Sequence, residues 1–384
     1  MNAADIPEHA ASDIQKILED KFSDFDAATM GEETEFSTDS HYNEKETNDV
    51  RWQKEWTHFE HSLKTEARFF SQSASNLLTS VFTDIDKMQT QDRRPLIVNA
   101  GPGTEFSKIF RARSFQLDEK LKAALAEPDK QLGSPPSVDA YAGRMNAHGI
   151  SVFYGANTPK VALAEVRPPV GSQVAIACFD IIRPIRLLDL TALSAVATND
   201  GSIFDPSFRH HLEKTKFLRN LSRRITIPVM PDHEIFEYLA TQAIADFLST
   251  EYDPPLDGII FPSVQAPDKA LNFVLFHKAA RVEAIELPKG TETTVSLETT
   301  DEDGPQREYT VVEEIPQKEE KAEDLGLQGI DFFDWDTTDS DPRPSTLRID
   351  LDSVHIHTVE SIEFKTLEYK VFRHRWKKGE FDFE

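Results

Sequence analysis

The chain has 384 residues, of which 39% are hydrophobic, and it carries a formal net charge of −25 at pH 7. This length allows two domains, while the strong negative charge opposes binding to nucleic-acid phosphates or to an anionic membrane surface. The single cysteine, Cys178, excludes an intramolecular disulfide. No apolar run reaches the roughly 18 residues of a membrane-spanning helix, and the polar N-terminus is unlike a signal peptide, so we expect a cytoplasmic protein.

The N-terminal part of the chain predicts helices. Helical spacing of apolar residues predicts a short helix over 12–22, and an acidic, polar linker completes a first segment, 1–48. A stronger helical pattern fills a second segment, 49–95. Its apolar stripe consists of Trp52, Trp56, Phe59, Leu63, Phe70, Ala74, Leu77, Val81 and Ile85. Such a stripe is typical of core packing; the alternative is a contact face between two copies of the chain or with another partner.

Strands and helices alternate in the third segment, 105–288. Apolar, β-branched runs predict strands near 96–98, 110–115, 151–156, 173–180, 185–190, 258–261 and 271–277. Longer helices are predicted over 117–126, 208–224 and 233–248, the last with Phe236 facing inward. The helix at 208–224 is strongly basic, which indicates either a solvated face paired with acidic segments or a rim that attracts an anion. The segment therefore predicts an α+β fold with a mixed β core and flanking helices.

The composition changes after residue 288. Residues 289–345 are rich in Asp and Glu and predict a disordered, solvated linker. Within it, 331–336 alternates acids with aromatic residues, which suggests docking on the basic helix. Residues 346–384 predict a C-terminal β extension, with strands near 347–356 and 364–372.

The most informative stretch places an arginine, a tyrosine and a glutamate at successive element ends. Arg144 lies in a loop, Tyr154 in a short strand, and Glu165 in a small helix that Thr158 and Pro159 begin. Arginine suits a phosphate, an aromatic ring can stack on a base, and a carboxylate beside a sugar stabilises an oxocarbenium-like transition state. The set fits a nucleotide whose glycosidic bond is broken. The alternative is a structural Arg144–Glu165 ion pair with Tyr154 in the core.

These residues resemble the central motifs of the RES domain, a family named for its Arg, Glu and Ser that occurs in bacterial toxin–antitoxin pairs. The motifs are Gly143-Arg144-x-Asn146, Phe153-Tyr154 and Ala162-x-x-Glu165. Further matches follow the order of the family: Phe110-Arg111-Ala112-Arg113, then Tyr238 and Thr241-Gln242, then 257–263 ending at Ser263, and 272–276. Met145 stands where many members have an aromatic residue.

The resemblance implies an ADP-ribosyltransferase-like fold and an enzyme that consumes NAD as its substrate, with no metal expected. The implied reaction is cleavage of the nicotinamide–ribose bond by hydrolysis or phosphorolysis. The alternatives are transfer of ADP-ribose to a protein, or a non-enzymatic interaction protein that uses the aromatic helices and the acidic tract. The expected partner is a separate antitoxin protein.

The resemblance also implies the role of each site residue. Arg144 would bind the NAD phosphates or the adjoining ribose, and Tyr154 would pack against nicotinamide. Glu165 would hold the ribose hydroxyls and stabilise the developing cation, and Ser263 would complete the pocket. The remaining substrate-binding candidates are Arg111, Asn146 and Gln242.

Overall fold

An eight-stranded mixed β-sheet forms the centre of the protein. The computed structural model describes residues 7–23, 29, 30, 36, 48–66, 70–198, 201, 205–265, 270–301, 304–316, 341–363 and 366–375. The strands are β1 (Ile97–Ala100), β2 (Lys108–Phe115), β3 (Phe153–Ala156), β4 (Gln173–Ile181), β5 (Ile185–Asp189), β6 (Gly258–Pro262), β7 (Leu271–Leu275) and, far along the chain, β10 (Leu347–Thr358). Their order across the sheet is β1-β5-β6-β7-β3-β2-β4-β10. Within the described residues, β5 and β6 run parallel and the other neighbouring pairs run antiparallel.

Helices flank this sheet, as the sequence predicts for an α+β fold. The helices of the described residues are α1 (Glu8–Phe22), which buries no side chain, α2 (Val50–Thr65), α3 (Gln72–Phe82), α4 (Asp118–Ala126), α5 (Pro128–Gln131), α6 (Pro159–Glu165), α7 (Leu190–Ser194), α8 (Pro206–Thr226) and α9 (Glu234–Thr250). Single 3-10 turns lie at Ile85–Lys87, Ser137–Asp139, Pro231–His233 and His277–Ala279. None of the helices in the described part of the chain is long and apolar enough to cross a membrane.

The apolar stripe of α2 and α3 lies in the main core. Trp52 and Trp56 approach the ring of Phe217 in α8, at centroid distances of 5.4 and 5.7 Å, and both are 2% exposed. Burial of each such side chain contributes roughly 2–3 kcal/mol. The core-packing interpretation is confirmed, so the stripe is not available as a face between copies. Phe70 is the exception, because it lies fully exposed between the two helices.

Alternating side chains of the sheet divide the core into two layers. On β6, Ile259 packs with the N-terminal helices, α8 and α9, whereas Ile260 packs on the opposite face against α4 and β4. This is the two-residue period expected of a strand that is buried on both sides. Consecutive apolar residues of this strand therefore contribute to the two layers of the core in turn.

A β-hairpin covers part of the second layer where the sequence predicted a disordered linker. Strands β8 (Glu292–Asp301) and β9 (Gly304–Glu314) pair with each other, and Leu297 is 4% exposed in the core with Tyr309 packed beside it. The linker prediction was wrong for these residues, because the β-branched Thr and Val residues of both strands favour extended structure and outweigh the acidic composition. Residues 317–340, which include the proposed docking segment at 331–336, lie outside the described residues.

Strand β10 belongs to the main sheet and is not a separate extension. It pairs with β4 from Leu347↔Ile181 to Thr358↔Gln173, with a register shift between Asp350 and His355. The second C-terminal strand was a wrong prediction for residues 366–372, which form no strand and expose their large apolar side chains. Phe236 of α9 was also predicted to face inward and is 55% exposed.

The basic helix α8 uses two of its cations to hold neighbouring backbone. Lys214 is buried and donates to the carbonyls of Ser80 and Thr83 at the C-terminal end of α3, at 2.9 and 2.7 Å. Arg219 donates to the carbonyl of Val196. A lysine at the negative end of a helix dipole is a stabilising arrangement. The solvated-face interpretation holds only for the exposed arginines of this helix.

Two leucines of β10 test the integration of this strand into the core. Leu347 is fully buried, so Leu347→Ala is expected to lower the free energy of unfolding by about 2–5 kcal/mol. Leu351 is 48% exposed on the same strand, so Leu351→Ala should cost less than about 1 kcal/mol. Urea unfolding followed by tryptophan fluorescence measures both. Equal effects of the two substitutions would contradict this placement of β10.

Candidate active site

A cleft of about 460 Å³ opens on the face of the sheet that carries α6, α8 and α9. Helix α6 borders one side, packed over β2, β3 and β4 through Val161 and Ala162. The end of α8 and the start of α9 border the other side, and α9 packs over β5, β6 and β7. The lining includes four of the predicted residues, namely Arg111, Arg144, Tyr154 and Glu165. Ser263 adjoins the lining between Pro262 and Val264.

Glu165 is the last residue of α6. Thr158 caps the helix by accepting from the amide of Val161 at 3.3 Å, and Pro159 occupies the first turn. The Ser263 hydroxyl donates to Oε1 of Glu165 at 2.5 Å, and the Asn272 amide donates to the same oxygen at 2.8 Å. No donor in the described part of the chain reaches Oε2. One carboxylate oxygen is thus fixed while the other remains able to accept hydrogen bonds.

Asn272, the second residue of β7, is a site residue that the sequence reasoning missed. It is 5% exposed, and its Oδ1 is buried with no hydrogen-bond partner in the structure. An unpaired buried amide oxygen costs roughly 1–3 kcal/mol. The sequence feature that could have revealed it is the single polar residue in the apolar run LNFVL. A buried Asn in a central strand needs hydrogen-bond partners, so it indicates further polar groups nearby.

The Arg144 side chain extends from its loop toward the α8–α9 side of the cleft. It donates to the carbonyl of Ile225 at 2.5 Å, and its guanidinium lies 5.4 Å from the centre of the Tyr238 ring. The carbonyl of Arg144 accepts from the hydroxyl of Thr241 at 2.5 Å. No salt bridge joins Arg144 to Glu165, both of which are described, so the structural ion-pair alternative is wrong.

The Tyr154 hydroxyl fixes the loop that carries Arg144. It accepts from the amide of Met145 at 3.1 Å and donates to Oδ1 of Asn146 at 3.0 Å. Burial raises the pKa of Tyr154 to about 12, so the hydroxyl stays protonated at neutral pH. A Cβ at position 143 would lie 2.7 Å from Asn146 Oδ1 and 2.8 Å from the Tyr154 hydroxyl, which explains why the residue there is Gly143.

Asn146 and Gln242 lie behind the cleft and do not line it. Asn146 is 4% exposed and donates to the carbonyls of Tyr141 and Ile150 at 2.9 and 3.0 Å. Gln242 donates to the carbonyls of Gly143 and Asn146 at 2.8 and 3.0 Å. Their side-chain donors are therefore used in shaping the loop. We correct the expectation of substrate contact to one of positioning Arg144.

Arg111 of β2 borders the cleft. Its guanidinium stacks over the ring of Phe153 at 4.9 Å and donates to the carbonyl of Tyr154 at 3.3 Å. Burial, with Arg113 nearby, lowers the pKa of Arg111 to about 10, so the side chain is still charged at neutral pH. Arg113 itself donates to the carbonyl of Gln131 and does not line the cleft.

Glu234, Tyr238 and Arg167 also line the cleft without having been predicted as site residues. Tyr238 donates to Oε1 of Glu234 at 3.0 Å in the first turn of α9. Arg167 follows α6 with a positive φ of 43°. Together with the predicted residues they give the cleft three arginines and two glutamates. The lining is thus locally basic in a chain of net charge −25, as an anionic substrate requires.

Comparison with protein families decides the identity of this region. Residues 110–298 match the family model described as the RES domain. The chain contains a RES domain. The match extends past the predicted end at 288 and includes part of β8.

The RES family is consistent with an NAD-related toxin function and is often paired with antitoxins. Neither the curated proteins nor the solved structures include a match to this chain. The RES identity therefore rests on the family match, together with the motif residues that the cleft brings together.

The raised pKa of Tyr154 predicts a loss of stability in alkaline solution. The unfolded state releases this proton near pH 10 and the folded state near pH 12, so stability falls as pH rises through this window, by roughly 3 kcal/mol in all. Tyr154→Phe should remove this component, and it should cost about 1–3 kcal/mol at pH 7 because the Met145 amide loses its acceptor. Urea unfolding between about pH 8 and 11 measures both effects.

Tyr369→Phe is the control for this measurement, since Tyr369 is 80% exposed. It should follow the wild-type pH dependence. A Tyr154→Phe protein with the same alkaline loss as the wild type would show that the Tyr154 hydroxyl is not held as described.

Proposed function

We propose that the cleft binds NAD and cleaves the bond between nicotinamide and ribose, by hydrolysis or phosphorolysis. The observation that carries this proposal is Glu165, whose Oε1 is fixed by Ser263 and Asn272 in a cleft that also contains Arg111 and Arg144. A fixed carboxylate beside paired cations matches a substrate with a ribose next to a diphosphate. The RES family supports the same substrate.

The positive charge that develops on the ribose is the main feature of the transition state that the site must stabilise. The C1′–N bond breaks with its electron pair moving to nicotinamide, which leaves as a neutral molecule, and positive charge develops on the ribose. An oxygen of water or phosphate then bonds to C1′; water also loses a proton. Glu165 stabilises the cation with its negative charge and accepts from a ribose hydroxyl through Oε2. Ser263 and Asn272 hold this carboxylate in place beforehand, which is how preorganised electrostatics accelerates reactions.

The remaining residues position the substrate. Arg144 and Arg111 offer guanidinium groups to the diphosphate, and the planar donor fork of arginine suits phosphate oxygens. The ring of Tyr154 provides an aromatic surface for nicotinamide, while its hydroxyl stays in the loop. Tyr154 is therefore assigned to packing and loop geometry, not to proton transfer.

A toxin role with a separate antitoxin follows from this proposal. The cleft is open to solvent between α6 and the α8–α9 connection, so a partner that covers it would exclude NAD. The structure also weakens the non-enzymatic alternative, because the aromatic stripe of α2 and α3 is used in the core of the chain itself. Transfer of ADP-ribose to a protein uses the same cleft and is distinguished by its product.

The test is the loss of NAD over time with purified protein, with and without inorganic phosphate. Glu165→Gln keeps the size of the side chain and its hydrogen bonds but removes the charge, so activity should fall by at least about 100-fold with an unchanged melting temperature. Glu119→Gln is the control, since Glu119 is highly exposed on α4, and it should retain full activity. Undiminished NAD loss in Glu165→Gln would refute the catalytic role.

The products identify the acceptor. Free ADP-ribose indicates hydrolysis, ADP-ribose 1″-phosphate formed only with phosphate present indicates phosphorolysis, and label from NAD on a protein indicates ADP-ribosyl transfer. Absence of all three with the folded wild-type protein would overturn the proposed reaction.

The Asn272 contact generates a second test. Asn272→Asp replaces the donor 2.8 Å from Glu165 with a second carboxylate, so like charges meet and the Glu165 side chain is displaced. We expect NAD cleavage to fall by about 100-fold, comparable to the loss of a preorganised donor. Asn99→Asp is the control on the exposed surface of β1 and should leave activity unchanged. Full activity in Asn272→Asp would show that this hydrogen bond does not position Glu165.

A further inference from the structure

The cleft has a second carboxylate that the proposed reaction does not use. Glu234 is the first residue of α9 and lines the α8–α9 side of the cleft. Its Oε1 accepts from the Tyr238 hydroxyl at 3.0 Å. Glu165 lines the other side, at the end of α6. Both carboxylates thus line one cleft, Glu165 at the end of α6 and Glu234 at the start of α9.

Two arginines line the same cleft. Arg144 contacts Ile225 and Tyr238 on the α9 side, and Arg111 borders the cleft from β2, with its guanidinium over the Phe153 ring. The lining therefore combines two carboxylates with guanidinium groups. NAD has complementary groups, with one ribose, a diphosphate and a second ribose. Apolar side chains of Pro228 and Val229 lie on the same side as Glu234 and offer a surface for a base.

We infer that Glu234 binds the 2′- and 3′-hydroxyls of the adenosine ribose and thereby selects NAD against NADP; this rests on the proposed function. A carboxylate can accept hydrogen bonds from both hydroxyls of a ribose, as acidic residues do at the ribose of other dinucleotide sites. A 2′-phosphate would bring negative charge against negative charge at the same place, and like-charge contact rejects a ligand strongly. Tyr238 orients Glu234 for this contact.

The alternative role of Glu234 is only to stabilise the start of α9. An acidic residue in the first turn stabilises a helix through its dipole, and an i,i+4 hydrogen bond to Tyr238 adds to this. That role predicts a change in stability and no change in the ratio of affinities for two ligands. The ratio is therefore the quantity to measure.

The experiment compares ADP-ribose with 2′-phospho-ADP-ribose by calorimetry on the full chain, so that no turnover is needed. The wild type should bind ADP-ribose at least about tenfold more tightly, because the phosphate meets the Glu234 carboxylate. In Glu234→Gln the two affinities should come within about threefold, mainly through tighter binding of the 2′-phospho ligand. The same shift should be seen in the kcat/KM ratio for NAD and NADP.

Glu237→Gln is the matched control. Glu237 lies on the same helix, pairs with Lys64 at 3.2 Å and does not line the cleft, so its removal should leave the preference unchanged. Equal wild-type affinities for the two ligands, failure of both to bind, or an undiminished preference in Glu234→Gln would overturn the inference. Binding of ADP-ribose with the expected preference but without loss of NAD would overturn the proposed reaction alone.

Discussion

The candidate active site depends on the hydrogen bonds of one tyrosine hydroxyl. Tyr154 belongs to β3 in the middle of the sheet, and its hydroxyl joins this strand to the loop that carries Arg144. Gln242 and Thr241 of α9 hold the same loop from the other side. The position of the arginine is thus determined by both the sheet and the helix. Glu165 is positioned independently, by Ser263, which follows β6, and by Asn272 of β7. The two halves of the site therefore meet only if β6 pairs with β7, and β7 with β3, in the observed register.

The sequence predicts the central part of this fold well because its elements follow simple periodicities. The strands of the sheet are short apolar runs bounded by turn residues, and Thr158-Pro159 begins α6 as its composition indicates. Prediction fails where composition and periodicity disagree. The β8–β9 hairpin is rich in acidic residues, yet in β8 Thr293, Val295 and Leu297 alternate with exposed residues and form a strand. Residues 366–372 show the reverse case, since their alternating apolar pattern forms no strand.

The sequence predicts the residue types of the site better than it predicts their spatial arrangement. Motif residues identify Arg144, Tyr154 and Glu165, because these types fit a nucleotide and match the RES motifs. Spacing along the chain cannot show which polar side chains are already satisfied. Asn146 lies two residues from Arg144, yet its side-chain amide donates to backbone carbonyls. Asn272 lies 107 residues from Glu165 and reaches it only through the pairing of distant strands.

Strand β10 has a consequence for the synthesis of the chain. β4 ends at residue 181 and its outer partner begins at 347, so 165 residues (182–346) separate the two strands. At about 5–20 residues per second, roughly 8–33 s of translation pass before β4 can acquire that partner. During this interval the nascent sheet presents a nine-residue strand with open backbone groups, which is the kind of edge on which chains associate wrongly. The order of the strands in the gene thus creates a period of vulnerability on the ribosome that the finished fold does not reveal.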